Sequence, residues 1–180
     1  DPARRNTADT LFVLDAVNEN SFRFDLPAGV NNFSGGASVA AMNLIAALAN
    51  NRAPGDAGLV LFDLESAEAK LLPTPEGFAA INLIGVVPAV RKVVARGVLG
   101  NNAGSQFLVY DLQSGDLQIV KNPEGVVWVG PAPATPPTPG QAPQPAAQIP
   151  VRFNPKANSV EAIALGEDRR QVGVLVLKLK

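Results

Sequence analysis

Cysteine and histidine are both absent from the 180 residues. Ser-His-Asp and Cys-His nucleophile systems are thereby excluded, because neither the imidazole base nor the thiol exists. Zinc and other nitrogen- or sulfur-ligated metal sites lose their usual donors by the same absence. A chain without thiols fits cytosol, periplasm or medium equally well, so the redox compartment stays open. Long apolar runs are also missing. None reaches the roughly 18–20 residues that cross a bilayer, so no membrane span is expected. Clustered positive charge is the third absence. The 15 basic residues are scattered, and no group is longer than a pair such as Arg91-Lys92 or Arg169-Arg170. Such pairs cannot form the phosphate-neutralising stripe that a nucleic-acid partner demands. What remains, 47 % hydrophobic residues at a formal net charge of −1, is the composition of a folded chain with a sizeable core.

The residues present are organised by a repeat. Leu11-Phe12-Val13-Leu14-Asp15 returns as Leu59-Val60-Leu61-Phe62-Asp63 and again as Phe107-Leu108-Val109-Tyr110-Asp111, the aspartates standing 48 residues apart. Twelve residues after each Asp comes a proline (Pro27, Pro75, Pro123), and two further on a glycine (Gly29, Gly77, Gly125). In the third copy, Phe107–Leu112 is a continuous apolar run, the pattern of a strand covered on both faces. Gln113-Ser114-Gly115-Asp116 is turn chemistry. Leu117-Gln118-Ile119-Val120 alternates as a half-exposed strand does, and Asn122-Pro123-Glu124-Gly125 ends it. A short apolar piece follows, Val126-Val127-Trp128-Val129, matched one period earlier by Phe78-Ala79-Ala80-Ile81. A fourth strand precedes each apolar–Asp run: Val93–Val98 aligns with Ile45–Asn50. The Ala-rich stretch Ser38–Leu48 also has helical character, but its alignment with a β-rich partner assigns it to strands.

The C-terminal part joins the scheme once an insertion is removed. Val174-Leu175-Val176-Leu177-Lys178-Leu179 matches Leu59–Leu64, with Lys178 in the Asp position, 67 residues after Asp111. The Pro-rich stretch at 131–148 supplies the extra length and reads as an extended, polyproline-like loop. Val160–Leu165 then falls on the Val93–Val98 strand. In the first copy, Phe22, Phe24 and Leu26 alternate one residue out of phase with Leu117 and Ile119, so its turn is expected to differ locally.

Four short strands in about 40–50 residues are the unit of a β-propeller blade. Phe107-Leu108-Val109-Tyr110-Asp111-Leu112-Gln113-Ser114-Gly115 and Leu59-Val60-Leu61-Phe62-Asp63-Leu64-Glu65-Ser66-Ala67 resemble the blades of bacterial propellers of the TolB and YVTN type. Trp-Asp, Gly-His and double-glycine signatures of other propeller families do not stand in this sequence. The resemblance implies an all-β fold of tandem four-stranded antiparallel blades. The chain forms a single repeat array: a partial blade over 1–30, blades over 31–78 and 79–126, and a partial blade over 127–180 carrying the insertion. Strand counts of two, four, four and three, thirteen in all, leave the ring incomplete, since propellers use four to eight blades. The expectation is a segment of a longer protein; completion by a partner and a strained closure between the two ends are the other options.

Candidate chemistry is sparse. Asp15, Asp63 and Asp111 form the one repeated polar constellation. A carboxylate ring binding a cation is one reading; capping of the adjoining turn by each carboxylate is the other. Identical placement in each unit and Lys178 at the fourth position favour capping. Trp128, among valines, reads as core rather than as a sugar-stacking platform, and Tyr110 is the other large amphipathic aromatic. Glu167-Asp168 lies in a Gly-Glu-Asp-Arg-Arg turn, where a solvated charge cluster accounts for it. Gly35-Gly36 and Gly100–Gly104 lack the Gly-Lys-Ser/Thr ending of a phosphate cradle. No catalytic, cofactor-binding or metal-ligating residue is assigned. The expectation is a non-catalytic propeller segment serving as an interaction or assembly scaffold, with a protein partner, the remainder of a longer chain or further copies of itself as its complement. The alternatives are the propeller part of a larger hydrolase or peptidase, and a small-ligand-binding propeller. The resemblance and the Asn/Pro/Thr-rich loops imply an extracytoplasmic, periplasmic or secreted location.

Overall fold

The computed structural model describes residues 10–15, 19–28, 30, 33–49, 58–130, 151–154 and 156–180. These form an all-β array of four consecutive antiparallel sheets. The first sheet pairs β1 (Thr10–Asp15) with β2 (Asn20–Asp25). The second runs in order through β3 (Phe33–Val39), β4 (Leu44–Ala49), β5 (Gly58–Asp63) and β6 (Glu68–Pro73). The third repeats that meander with β7 (Phe78–Val87), β8 (Lys92–Leu99), β9 (Ser105–Asp111) and β10 (Leu117–Val120). In the fourth, β11 (Trp128–Val129) and β12 (Arg152–Asn154) both pair with β13 (Ser159–Leu165), which pairs on its other side with β14 (Gln171–Lys178). Among the described residues the four sheets form no closed ring.

The repeat has a backbone counterpart. Each third-to-fourth-strand hairpin pairs Asp with the residue five places on: Asp15↔Asn20 and Asp63↔Glu68 by register, and Asp111 with Asp116 through an amide–carbonyl bond of 2.9 Å. The residue before that partner is left-handed in all three copies (Glu19 φ 56°, Ala67 φ 56°, Gly115 φ 81°). The first hairpin thus shares the register of the other two, and residues 16–18, where its turn is expected to differ, lie outside the described residues. Phe24, Leu72 and Val120 occupy one repeat position on the covered face. Leu117 and Ile119 lie on the opposite face and remain exposed, because β10 is an outer edge with a single neighbour. After the fourth strand, the amides of Val30, Phe78 and Val126 each donate to the carbonyl of the proline three residues back (3.0, 3.2 and 3.1 Å). Gly77 and Gly125 take φ of +85° and +78° at the third position of this turn, where a side chain is strained and glycine is not.

The stretch 38–48 is not helical. β3 ends at Val39, a single 3-10 turn covers Ala40–Met42, and β4 begins at Leu44. Asn43 closes the turn at φ 47°, and Arg91 (50°) and Asn158 (46°) do the same in the next two units. Their carbonyls accept from Leu64, Leu112 and Leu179 (2.7, 2.9 and 2.8 Å), the residue after each third strand. One left-handed residue thus ties the first-to-second-strand turn to the third strand.

Three apolar clusters glue neighbouring sheets together. Phe24, Val30, Ala47, Ala49, Val60 and Phe62 join the first to the second, with Phe62 edge-on to Phe24 and Phe33. Leu44, Ala46, Leu59, Leu61, Val93, Ala95 and Leu108 are among those joining the second to the third. Val94, Phe107, Val109, Val129, Val160 and Ala162 join the third to the fourth. Alternate residues of β5 and β9 thus serve opposite interfaces, which is why those strands are apolar throughout. Burying each such side chain contributes about 1.5–3 kcal/mol.

Among the described residues there are fourteen strands where thirteen are expected, because the first strand of the fourth sheet is split. Trp128↔Leu165 and Val129↔Ala164 place β11 on β13, the Gly130 amide continues to the Ile163 carbonyl (3.0 Å), and Arg152↔Glu161 resumes the ladder in β12. Joining Gly130 directly to Val151 would give one continuous strand. The break falls near the level at which β3 and β7 carry their bulges, between Ser34 and Gly36 and between Leu83 and Gly85. The expected Pro-rich loop at 131–148 lies outside the described residues.

Candidate functional site

Two of the three repeated carboxylates, Asp63 and Asp111, cap turns. Asp63 Oδ1 accepts from the amides of Glu65 (2.8 Å) and Ser66 (3.1 Å), and Asp111 Oδ1 accepts from Gln113 and Ser114 at the same two distances. This is the Asx-turn geometry that lets a short acidic side chain substitute for a backbone acceptor. Asp111 has a further partner: Lys92, directly opposite it on β8, places Nζ 2.7 Å from Oδ2. The Lys92 hydrogen bond, then the Ser114 and Gln113 amides, pull the Asp111 carboxyl down to about 2. The side chain of Asp15 lies outside the described residues. Lys178, at the fourth position, stands opposite Ser159. No three described Asp or Glu residues converge as a metal site would need.

Trp128 is buried at 3 % exposure on β11, and its face is covered by the Arg169 guanidinium, 5.4 Å from the ring centroid. A covered ring cannot stack a sugar. Arg169 is held there by the turn between β13 and β14, where Asp168 Oδ1 accepts from the Arg170 amide (3.0 Å) and Oδ2 meets the Arg170 side chain at 3.4 Å. Asp168, one of the two adjacent acids, therefore shapes a turn. Tyr110 is buried between the second and third sheets, and its hydroxyl has no hydrogen-bond partner among the described residues. Burial pushes its pKa up to about 12. Phe62 holds the equivalent position one repeat earlier, so the hydroxyl is a buried addition to an aromatic site.

A residue that sequence reasoning passes over is Ser105. It is fully buried, and its hydroxyl both donates to the Val129 carbonyl and accepts from the Val129 amide, each at 2.9 Å. The neighbouring backbone adds Ser105 N–H to the Val127 carbonyl (3.0 Å), and Asn122 Nδ2 donates to the Ser105 carbonyl (2.8 Å). These bonds tie the third sheet to β11 where the fourth begins. The other signal at this seam is Gly104, where an added Cβ would stand 2.5 Å from the Val127 carbonyl oxygen.

The clefts between sheets offer little chemistry. One of about 370 Å³ between the first and second sheets is walled by Val13, Phe22, Val39, Leu44, Ile45 and Leu64, with Ser38 and Asn43 among its few polar residues. Another of about 250 Å³ is lined by Asn82, Leu83, Ile84, Arg96 and Val151. Arg96 is its one titratable residue, with its pKa lowered by burial. Neither cleft pairs an acid with a base, as general acid–base work would require.

The uncovered apolar side chains are concentrated in few places. β14 exposes Val172, Val174 and Val176 at 57, 58 and 50 %, and β1 exposes Phe12 and Leu14 at 65 and 78 %. Both strands bury their alternate residues: Leu175 and Leu177 pack on the third sheet, and Leu11 and Val13 on the second. The two exposed rows are the outward faces of the last and first sheets.

No family model matches the chain, and no curated protein matches it. Among solved structures, the acylaminoacyl peptidase of Pyrococcus horikoshii, in an orthorhombic crystal form, aligns with a TM-score of 0.43 and 10 % identity over 81 % of this chain. The match covers 25 % of that protein's chain.

Proposed function

We propose that this chain is a non-catalytic β-propeller-type repeat segment that acts as an interaction or assembly scaffold. The observation carrying this reading is the distribution of uncovered apolar surface, with a row of valines on the last sheet and Phe12 with Leu14 on the first. Exposed aliphatic rows on stacked sheets are surfaces that further protein covers, supplied by a partner or by the remainder of a longer chain. The polar groups support the same reading: Asp63, Asp111, Asp168 and Ser105 are each engaged in a turn or a sheet-to-sheet bond. Extracytoplasmic placement in a bacterium rests on the blade resemblance and on loop composition.

Two measurements test the proposal. The chain is assayed against chromogenic peptide, ester and glycoside substrates, and titrated with the apolar-surface dye bis-ANS. No turnover is expected, with dye binding that falls when Val174 and Val176 are replaced by Ser. Turnover above the buffer rate, or dye binding indifferent to both substitutions, would overturn it.

A further inference from the structure

One side chain in the seam between the third and fourth sheets breaks the repeat. Arg96 on β8 stands where Leu48 stands on β4 and Ile163 on β13, each paired with the matching residue of its third strand (Phe107, Leu59 and Val174). Its side chain reaches the fourth sheet at the end of β11, where a Cβ added to Gly130 would come 3.3 Å from Arg96 Cδ and 3.6 Å from Nη1. Asn82, directly opposite Arg96 on β7, stands at the same cleft of about 250 Å³, with Ile84 and Val151 among its walls. Both of those aliphatic residues pack into the seam. A leucine or isoleucine here, as in the other sheets, would bury apolar area without desolvating a charge. Burial lowers the Arg96 pKa, yet a guanidinium keeps its proton in a protein. A residue that departs from the rule of its own fold in this way marks a functional position.

We propose that this cleft binds a small carboxylate with a short branched aliphatic tail, the carboxylate on the Arg96 guanidinium and the Asn82 carboxamide, the tail against Ile84 and Val151. The planar fork of a guanidinium matches a carboxylate through two parallel hydrogen bonds. Its five donors let it hold such a ligand alongside its protein contacts. A cation and an amide set among aliphatic walls are the make-up of a pocket that orients one small anion. The site is independent of the exposed valines behind the scaffold reading, and it adds a ligand without adding catalysis.

NMR titrations read at the Arg96 Nε–H and the Val151 methyls test the site. Isovalerate is expected to give saturable shifts at both, half-complete at a concentration on the order of 1–10 mM, as suits so small a ligand. Acetate, which lacks the tail, should bind about tenfold more weakly, and isoamylamine, with the tail but the opposite charge, should shift neither. Arg96→Leu installs the residue that the second sheet carries at this position and should abolish binding. Arg96→Lys keeps the charge without the fork and should weaken isovalerate about tenfold; it decides the matter if the Leu variant does not fold. Acetyl-alanyl-leucine, run in parallel, separates the two sources of such a carboxylate. Tighter binding than isovalerate makes the ligand a peptide C-terminus, weaker binding makes it a free acid, and either order upholds the site. Absence of a saturable isovalerate shift overturns the proposal. So does equal binding of isoamylamine, which would leave an apolar cleft with no role for the cation, and so does wild-type affinity in either Arg96 variant.

Discussion

Val109 and Val176 occupy the same repeat position on β9 and β14, yet Val109 is 4 % exposed and Val176 is 50 % exposed. Replacing each by Asp separates what the residue is from what covers it. At Val109 the change forfeits the burial of a valine, about 1.5–3 kcal/mol. It also places a carboxyl between two sheets among Phe107, Val94 and Val160. If burial raises that carboxyl by about 3 units above its unfolded value, the ionised form costs a further 4 kcal/mol or so at pH 7. The sum, about 5–7 kcal/mol, is comparable to the whole stability of an ordinary domain, about 5–15 kcal/mol. Melting followed by circular dichroism should therefore fall by about 10–25 °C or be lost altogether. The pH dependence follows from the direction of the shift. A folded pKa raised above the unfolded value of about 3.9 gives a penalty absent below about pH 4 and growing as pH rises toward the folded pKa. The gap between Val109→Asp and wild type should accordingly narrow at pH 4. In dilute solution Val176→Asp should melt within about 2 °C of wild type at either pH. A loss under about 5 °C for Val109→Asp at pH 7, or equal losses for the two variants, would refute the assignment of covered and uncovered sheet faces.

Three further outcomes follow from the seams and turns. Ser105→Ala leaves the buried Val129 amide and carbonyl without their hydroxyl partner and should cost about 1–3 kcal/mol; loss of hydrogen-exchange protection at the Val129 amide checks the cause. Tyr110→Phe removes a buried hydroxyl that has no partner among the described residues, so the melting temperature should hold or rise by a few degrees; a clear fall would mean that the hydroxyl is satisfied. Asp111 should titrate near 2 by carboxyl NMR, and Lys92→Met should move that midpoint up toward the ordinary value of about 3.9. A depressed folded pKa contributes stability that is present above about pH 4 and lost as pH falls toward 2, so the substitution should also flatten the acid limb of the unfolding curve.

Much of the architecture is legible in the residues because a 48-residue repeat constrains each strand three times over. The apolar–Asp run marks the third strand, and its Asp marks the turn. What escapes sequence reading has physical causes. Asn43, Arg91 and Asn158 are left-handed without being glycine; the two asparagines tolerate that region, but Arg91 gives no sign of the turn that joins the first strand to the second. Arg152-Phe153-Asn154 holds one apolar residue in three and forms a strand only because β13 offers an open edge beside it. β14 carries the same aliphatic run as β5 and β9, and exposure is set by the neighbouring sheet, which the run itself does not encode. Among the candidate groups, turn capping by the aspartates and burial of Trp128 can be anticipated. Ser105 cannot, since its role depends on the unrelated stretch that happens to lie across from it.

The parted strand on β13 has an evolutionary consequence. With Gly130 and Arg152 both fixed to the same neighbour, chain can be added between them without disturbing the ladder on either side. The entropic cost of a longer excursion rises only logarithmically, about 0.6 kcal/mol for each doubling. The gap is a splice point, at which new sequence of almost any length can be acquired, exchanged or engineered while the aliphatic seams on either side keep the scaffold in shape.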